Sequence, residues 1–326
     1  MRFGDFAIVL AAAFAIGCGG DRGSEPSGVP SGSATCGTPA DAVAPADVTI
    51  TARDAEIPLR AGRTMQAWTF DGDVPGPVLR VPLGETRRVK LVNESPRTTS
   101  LHFHGVHYSL TDDGTPDGPE SMVAPGCAHV YTITADQPGV WPYHGHRDPG
   151  VEMARGLHGA VVVPFPDERP ADHEYVVFLG QLGIEGEGHE EEEEGEGGTP
   201  FAMTINGRAD GGASVIELAG DRYAVTTGAV ARAHVGERVR WRVLNVSPDE
   251  PHTFHVHGHT WCDGGGVPDA AGRCPAGTVP VDNVDLMPAQ GVSFELVEDN
   301  PGMWMLHCHI VDHVVDGMFA RYEAMP

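Results

Sequence analysis

From about Asp47 the chain runs in short stretches of alternating apolar and polar residues, broken by Gly, Pro, Asp and Asn. "VTITARDAEI", "RRVKLVNES", "HVYTITA" and "GAVVVPF" are rich in Val, Thr, Ile and Tyr. Such side chains fit a pleated surface, and a period of two marks strands with one face turned inward. The pattern restarts at Glu174 with "EYVVFLGQL", runs through "YAVTTGAVARAHVGERVRWRVLNVS" and continues in "GVSFELVED". Val81–Pro96, "VPLGETRRVKLVNESP", resembles Ala233–Pro248, "AHVGERVRWRVLNVSP". Each copy has a Gly-Glu turn, an alternating strand, then Asn and Ser-Pro, with a His-rich strand soon after. This repeat predicts an all-β chain of two β-sandwich units, 47–166 and 174–326, with a boundary near Pro166–His173.

Composition adds limits. The 326 residues suffice for two ordinary domains, and 43 Gly with 27 Pro favour short strands and many turns. The formal net charge of -25 repels nucleic acid and anionic lipid, which sets nucleic-acid binding aside, and can gather cations. Arg2 precedes an apolar run, Phe6–Ile16, that is too short to span a bilayer. "AIGC" (Ala15–Cys18) resembles a bacterial lipoprotein signal. Residues 1–18 are therefore expected to be a signal peptide with Cys18 as the lipid anchor, and 19–46 a flexible tether. The expected location is outside the cytoplasm: periplasmic, membrane-anchored or secreted. The acidic stretch 185–198, "EGEGHEEEEEGEGG", reads as a solvated loop. In an exported chain Cys262 and Cys274 are expected to pair across a Gly-rich loop, which leaves Cys36 for Cys127.

Four pairs share a His-x-His spacing: His102/His104, His144/His146, His255/His257 and His307/His309. On a strand, residues two apart point the same way, so each pair sets two imidazoles on one face. Eight converging imidazoles are costly to bury unpaired and repel one another when protonated; a metal cluster removes both costs. Zinc would suit histidine alone. Cys308, between His307 and His309, faces the opposite side of the strand and serves a second site. Two histidines, a thiolate and a weak axial methionine form the ligand set of an electron-transfer copper. His313 and Met318 follow in the next loop, and His252, of opposite parity to His255, supplies the second histidine. Eight imidazoles suit three further coppers, with two ligands on one and three on each of the others.

"HFHG" (102–105), "HGH" (144–146), "HTFHVH" (252–257) and "HCHIVDHVVDGM" (307–318) resemble, in order, the motifs of the multicopper oxidases. The resemblance implies cupredoxin-like Greek-key domains and a laccase-like oxidation of phenolic or similar donors coupled to four-electron reduction of O2. It implies about four coppers per chain. His252, Cys308, His313 and Met318 would hold the type 1 ion, and His102 and His255 the type 2 ion. His104, His144, His146, His257, His307 and His309 would hold the binuclear type 3 pair. Gly145 stands where a cysteine would give the first unit its own type 1 site. That pattern resembles the two-domain small laccases, which implies a homotrimer with clusters at subunit interfaces. Within the resemblance Asp113 is expected to relay protons, with Asp112 as its rival, and Tyr108 to serve as a reductant or hydrogen-bond donor. His107, His158 and His259 are expected to be non-ligands, and Met303 and Met305 core residues. Oxidation of Cu(I), Fe(II) or Mn(II) is the alternative; nitrite reduction and a non-enzymatic copper-binding role are disfavoured.

Overall fold

The computed structural model describes residues 45–183, 201–212, 214–266, 269 and 273–326. The signal segment, Cys18, most of the tether, Cys36 and the acidic stretch 185–198 lie outside them. In the first half the strands are β1 (Val48–Arg60), β2 (Arg63–Phe70), β3 (Val78–Arg80), β4 (Thr86–Asn93) and β5 (His102–Phe103). They continue with β6 (Ala128–Thr134), β7 (Gly139–His144), the short helix α1 (Pro149–Arg155) and β8 (His158–Val163). Two four-stranded sheets result, ordered β2-β1-β4-β6 and β3-β8-β7-β5.

The second half begins with β9 (His173–Leu182), β10 (Ala202–Ile205), β11 (Ser214–Ala219), β12 (Arg222–Thr227), β13 (Ala231–His234) and β14 (Arg238–Asn245). It continues with β15 (His252–Val256), β16 (Trp261–Cys262), β17 (Pro280–Val281), β18 (Asn283–Leu286) and β19 (Gly291–Val297). β20 (Gly302–Cys308), α2 (Val311–Val315) and β21 (Phe319–Met325) close it. The sheets run β12-β11-β9-β14-β19, with β10 on β9, and β13-β21-β20-β15-β18.

The halves repeat one topology: β2-β1-β4-β6 matches β11-β9-β14-β19, and β3-β8-β7-β5 matches β13-β21-β20-β15. In each half the opening strand pairs in parallel with the strand of the sequence repeat, β1 with β4 and β9 with β14. Parallel neighbours in mainly antiparallel sheets require crossovers, as in a Greek key. The all-β fold expected from the strand pattern is the one formed, and it is cupredoxin-like, as the resemblance implied.

The repeated Asn and Ser do the same local work twice. Buried Asn93 donates from Nδ2 to the Arg97 and Val123 carbonyls and accepts from the Ser95 amide on Oδ1. Buried Asn245 donates to the Glu250 and Leu286 carbonyls and accepts from the Ser247 amide. Each asparagine satisfies the polar backbone of the turn that feeds a histidine strand, β5 or β15. Each half has its own apolar core, and a third cluster joins Val140, Met153 and Val162 to Val176, Phe178 and Leu244 across the halves.

Two expectations change. Met303 is 49% exposed, because it shares strand parity with His307 and faces away from the core; Met305 is half-buried on the same face. His313 sits on a short helix, α2, rather than in a loop. Cys262 and Cys274 are disulfide-bonded, as their spacing suggested.

Candidate metal centre

On β15, His252, Phe254 and Val256 are buried while Thr253 and His255 are half-buried. Cys308 lies opposite Phe254 in the β15–β20 ladder, and His307 lies opposite His255. The alternation therefore sends Cys308 and His252 to the core side and His255 and His307 to the other. α2 then returns His313 to the core side. The ligand atoms of His252, Cys308 and His313 lie within 4.8 Å of one another. Nδ1 of His252 is 3.0 Å from Nδ1 of His313, and the Cys308 sulfur is 3.8 and 3.5 Å from them. Met318 is fully buried in the same core cluster. Its carbonyl accepts from the Cys308 amide (3.2 Å), and its amide donates to the His313 carbonyl (2.9 Å).

Two nearby groups prepare these donors. Ser247 is buried, and its Oγ lies 2.7 Å from Nε2 of His252, which leaves Nδ1 facing the thiol. The Thr253 amide donates to the Cys308 sulfur at 3.3 Å. Burial and then the neighbouring His313 hold the His252 pKa down at about 3, so the ring is neutral. Burial raises the Cys308 thiol above its ordinary value, against the pull of the Thr253 amide. Neutral imidazoles turned toward a buried sulfur fit a soft, one-electron metal such as copper.

The other eight histidines form two quartets. In the first, β5 pairs His102 opposite His144 on β7. Nε2 of His104 and Nε2 of His144 face each other at 3.1 Å, and the His102 and His146 rings are 4.7 Å apart. In the second, Nε2 of His257 faces Nε2 of His307 at 3.0 Å, and the His309 ring lies 5.4 Å from His255. Backbone carbonyls hold the far nitrogens. Nδ1 of His102 donates to Asp113, of His144 to Gly145, of His255 to Asp282 and of His307 to Cys308, at 2.6–2.8 Å. A carbonyl can only accept, so Nδ1 carries the proton and Nε2 keeps its lone pair for a metal. Burial lowers His144 to about 3 and His104 to about 4, with the neighbouring histidines adding to it. Nδ1 of His146 is buried without a partner.

Within one chain no ring contact joins the quartets among the described residues, and their ligand atoms form separate groups. His257 and His309 are exposed. The spacing alone suggested one cluster of eight, and the resemblance implied one divided between subunits; within one chain the eight histidines form two groups. The second histidine of each pair also lies just past its strand end, since β5, β7, β15 and β20 stop at Phe103, His144, Val256 and Cys308.

Asp113 and Asp112 divide cleanly. An Asp113 carboxylate oxygen is 3.6 Å from Nδ1 of His102, and Thr115 donates to the other oxygen. Asp112 instead binds His129 (2.8 Å) and the Thr132 amide (3.2 Å). The Tyr108 ring lies 6.1 Å from His102, and burial together with Asp113 pushes its phenol up to about 12. His259 is turned away from the quartet: Nδ1 donates to the His257 carbonyl (2.7 Å), and Nε2 is 3.1 Å from Glu298. His158 is buried against Phe178, and the His107 backbone pairs with Thr134. Ser247 and the Thr253 amide were not singled out from the sequence. Ser247 carried a signal, its place in the repeated Asn-x-Ser-Pro; a backbone donor carries none.

Multicopper oxidase family models match residues 51–168 and 199–326, which carry every one of these donors. The chain belongs to the multicopper oxidase family. The His and Cys groups of this multicopper oxidase are suited to copper. It is 30% identical over 286 residues to a probable nitrite reductase-hydroxylamine oxidoreductase fusion protein of Kuenenia stuttgartiensis, covering 83% of this chain and 30% of that one. It is 35% identical over 120 residues to copper resistance protein A of Escherichia coli, covering 36% and 20%. The multicopper oxidase spans less than half the length of these relatives. A solved multicopper oxidase superposes with a TM-score of 0.66 at 25% identity, covering 85% of this chain and 87% of that one. The blue copper oxidase of Nitrosomonas europaea shares the fold at a TM-score of 0.66 and 23% identity, covering 85% of each chain.

Proposed function

We propose that the protein is a laccase-like oxidase of phenolic or similar donors, assembled as a homotrimer and exported. The first quartet of one subunit meets the second quartet of the next. The observation that carries this reading is the division of eight histidines into two halves with no ring contact between them among the described residues of one chain. Bound copper would supply one-electron exchange at the thiolate site and O2 reduction at the completed cluster. His252, Cys308, His313 and Met318 would hold the type 1 ion, His102 and His255 the type 2 ion, and the other six histidines the type 3 pair. The chain itself ties the sites together, because Cys308 is bonded on either side to His307 and His309. The Cys308 carbonyl also accepts from Nδ1 of His307 at 2.6 Å, a second short connection. Asp113 can hold a proton beside the first quartet, and Tyr108 keeps its own at neutral pH and offers it as a hydrogen bond.

A specific feature favours oxidation of metal ions as a second reading. The carboxylates of Glu250, Asp312 and Asp316 surround His313, with Glu250 at 4.0 Å from Nε2, and would attract a cation. A relative 25% identical over 280 residues is the human ferroxidase HEPHL1. Sedimentation with copper analysis and O2 uptake tests the assembly. The expected active species is a trimer, and uptake should be lost on dilution to monomer. A fully active monomer with about four coppers sinks the proposal. Uptake driven by Fe(II) or Cu(I) but by no phenol would select the second reading.

A further inference from the structure

The first half keeps the outline of the second half's type 1 site with every ligand exchanged. Thr99 precedes His102 by three residues, as His252 precedes His255. Gly145 lies between His144 and His146, as Cys308 lies between His307 and His309. The backbone fixes the remaining positions. The Gly145 amide donates to the Leu157 carbonyl (3.0 Å), as the Cys308 amide does to Met318 (3.2 Å). The Leu157 amide donates to the Glu152 carbonyl, as the Met318 amide does to His313, both at 2.9 Å. Thr99, Gly145, Glu152 and Leu157 thus stand where His252, Cys308, His313 and Met318 stand.

This remnant is filled. Glu152 is buried, and one carboxylate oxygen accepts from Thr99 Oγ1 at 2.7 Å. The other accepts from the Arg147 amide (2.7 Å) and the Asp148 amide (3.2 Å). All three partners donate, which suits an acceptor-only carboxylate. The Thr99–Glu152 bond spans the same two positions as the 3.0 Å approach of His252 to His313. A Cβ on Gly145 would lie 2.8–2.9 Å from the carboxylate of Glu152. A thiolate ligand at 145 would therefore displace the Glu152 carboxylate from its present position.

We infer that Glu152 is a positioning residue that takes the place of a copper ion. In the second half, His252, Cys308 and His313 offer a metal one ligand each from β15, β20 and α2. In the first half the Glu152 carboxylate, carried on α1, clips the corresponding segments before β5 and after β7 without metal. It binds Thr99, before the pair His102/His104, and the backbone directly after His144/His146. It thereby fixes the spacing of the two strand ends that present the first quartet. The inference rests on the quartet reading, so one measurement is chosen to be independent of it.

The test compares Glu152→Ala, Glu152→Gln and Thr99→Val with the parent as the copper-loaded full chain. A cavity of about 330 Å³ already opens against Glu152 and Leu157, so water can enter where the carboxylate is removed and the fold can survive. Amide exchange of Arg147 and Asp148 in the metal-free chain reads the clip alone. It should speed up roughly tenfold to a hundredfold in Glu152→Ala, and less in Glu152→Gln. With copper bound, the type 2 EPR signal and cluster copper content should change while the thiolate–copper band does not. Unchanged exchange at both amides overturns the clip itself. Faster exchange with an unaltered cluster signal, or equal loss of the thiolate site, overturns the positioning role. Failure of the quartet reading shows separately, as a parent chain with no cluster signal. If Glu152→Ala does not fold, Glu152→Gln and Thr99→Val carry the same comparisons.

Discussion

Ser247→Ala isolates one hydrogen bond at the thiolate site. The Ser247 amide stays bound to Oδ1 of Asn245 at 2.8 Å, so the turn keeps its backbone. Only Oγ is lost. That atom is fully buried, 2.7 Å from Nε2 of His252. Nδ1 of His252 faces His313 at 3.0 Å and the Cys308 sulfur at 3.8 Å, so the metal-facing lone pair is on Nδ1 and the proton on Nε2. Nε2 therefore donates to Ser247, and alanine leaves a buried N–H without a partner. Such a group costs about 1–3 kcal/mol. Partners of this kind are worth roughly tenfold to a hundredfold in metal affinity. The assay is a titration with a copper chelator, following the thiolate–copper visible band and, separately, the type 2 EPR signal. The chelator midpoint for the visible band should fall by that factor, with the EPR signal unmoved. A midpoint within about twofold of the parent would refute the assignment of the proton to Nε2 and of the support to Ser247.

Asp113→Asn keeps the backbone carbonyl that anchors Nδ1 of His102 but removes the adjacent charge. O2 consumption should slow on the order of a hundredfold while reduction of the thiolate site by donor keeps its rate; equal rates in both steps would remove the proton-relay role. The metal-free protein should lose stability as pH falls. His144 and His252 are held at about 3 and His104 at about 4 in the fold, against about 6.5 unfolded. The unfolded chain binds more protons across that window, so stability present above about pH 6.5 drains away toward pH 3. A urea midpoint that stays level between about pH 7 and 5 would contradict neutral, buried imidazoles.

The histidine pairs and the parity of Cys308 were legible because side-chain direction in a strand follows from counting by two. The same counting places Met303 on the exposed face of β20, although its apolar character suggested the core. Two features were less legible. The anchors of Nδ1 in His102, His144, His255 and His307 are carbonyls, which every residue has, so no residue type announces them. Glu152 looks like an ordinary helical glutamate until the two halves are laid over one another through their backbone hydrogen bonds. The separation of the quartets was implied only by the resemblance to the two-domain small laccases, since spacing along a chain says nothing about the distance between two sandwiches.

Each histidine pair has one member within a sheet ladder, or at its last rung, and one just beyond it. The two members are held by different means. A ladder residue is held by neighbouring strands to the tolerance of the sheet. The next residue keeps one tie through its amide: His104 to the Pro142 carbonyl (3.0 Å), His257 to Met305 (2.9 Å), His309 to Thr253 (2.6 Å) and His146 to Ser100 Oγ (3.1 Å). Each pair is then a jaw gripped at both members, so the scaffold, rather than an arriving ion, sets where the two rings stand.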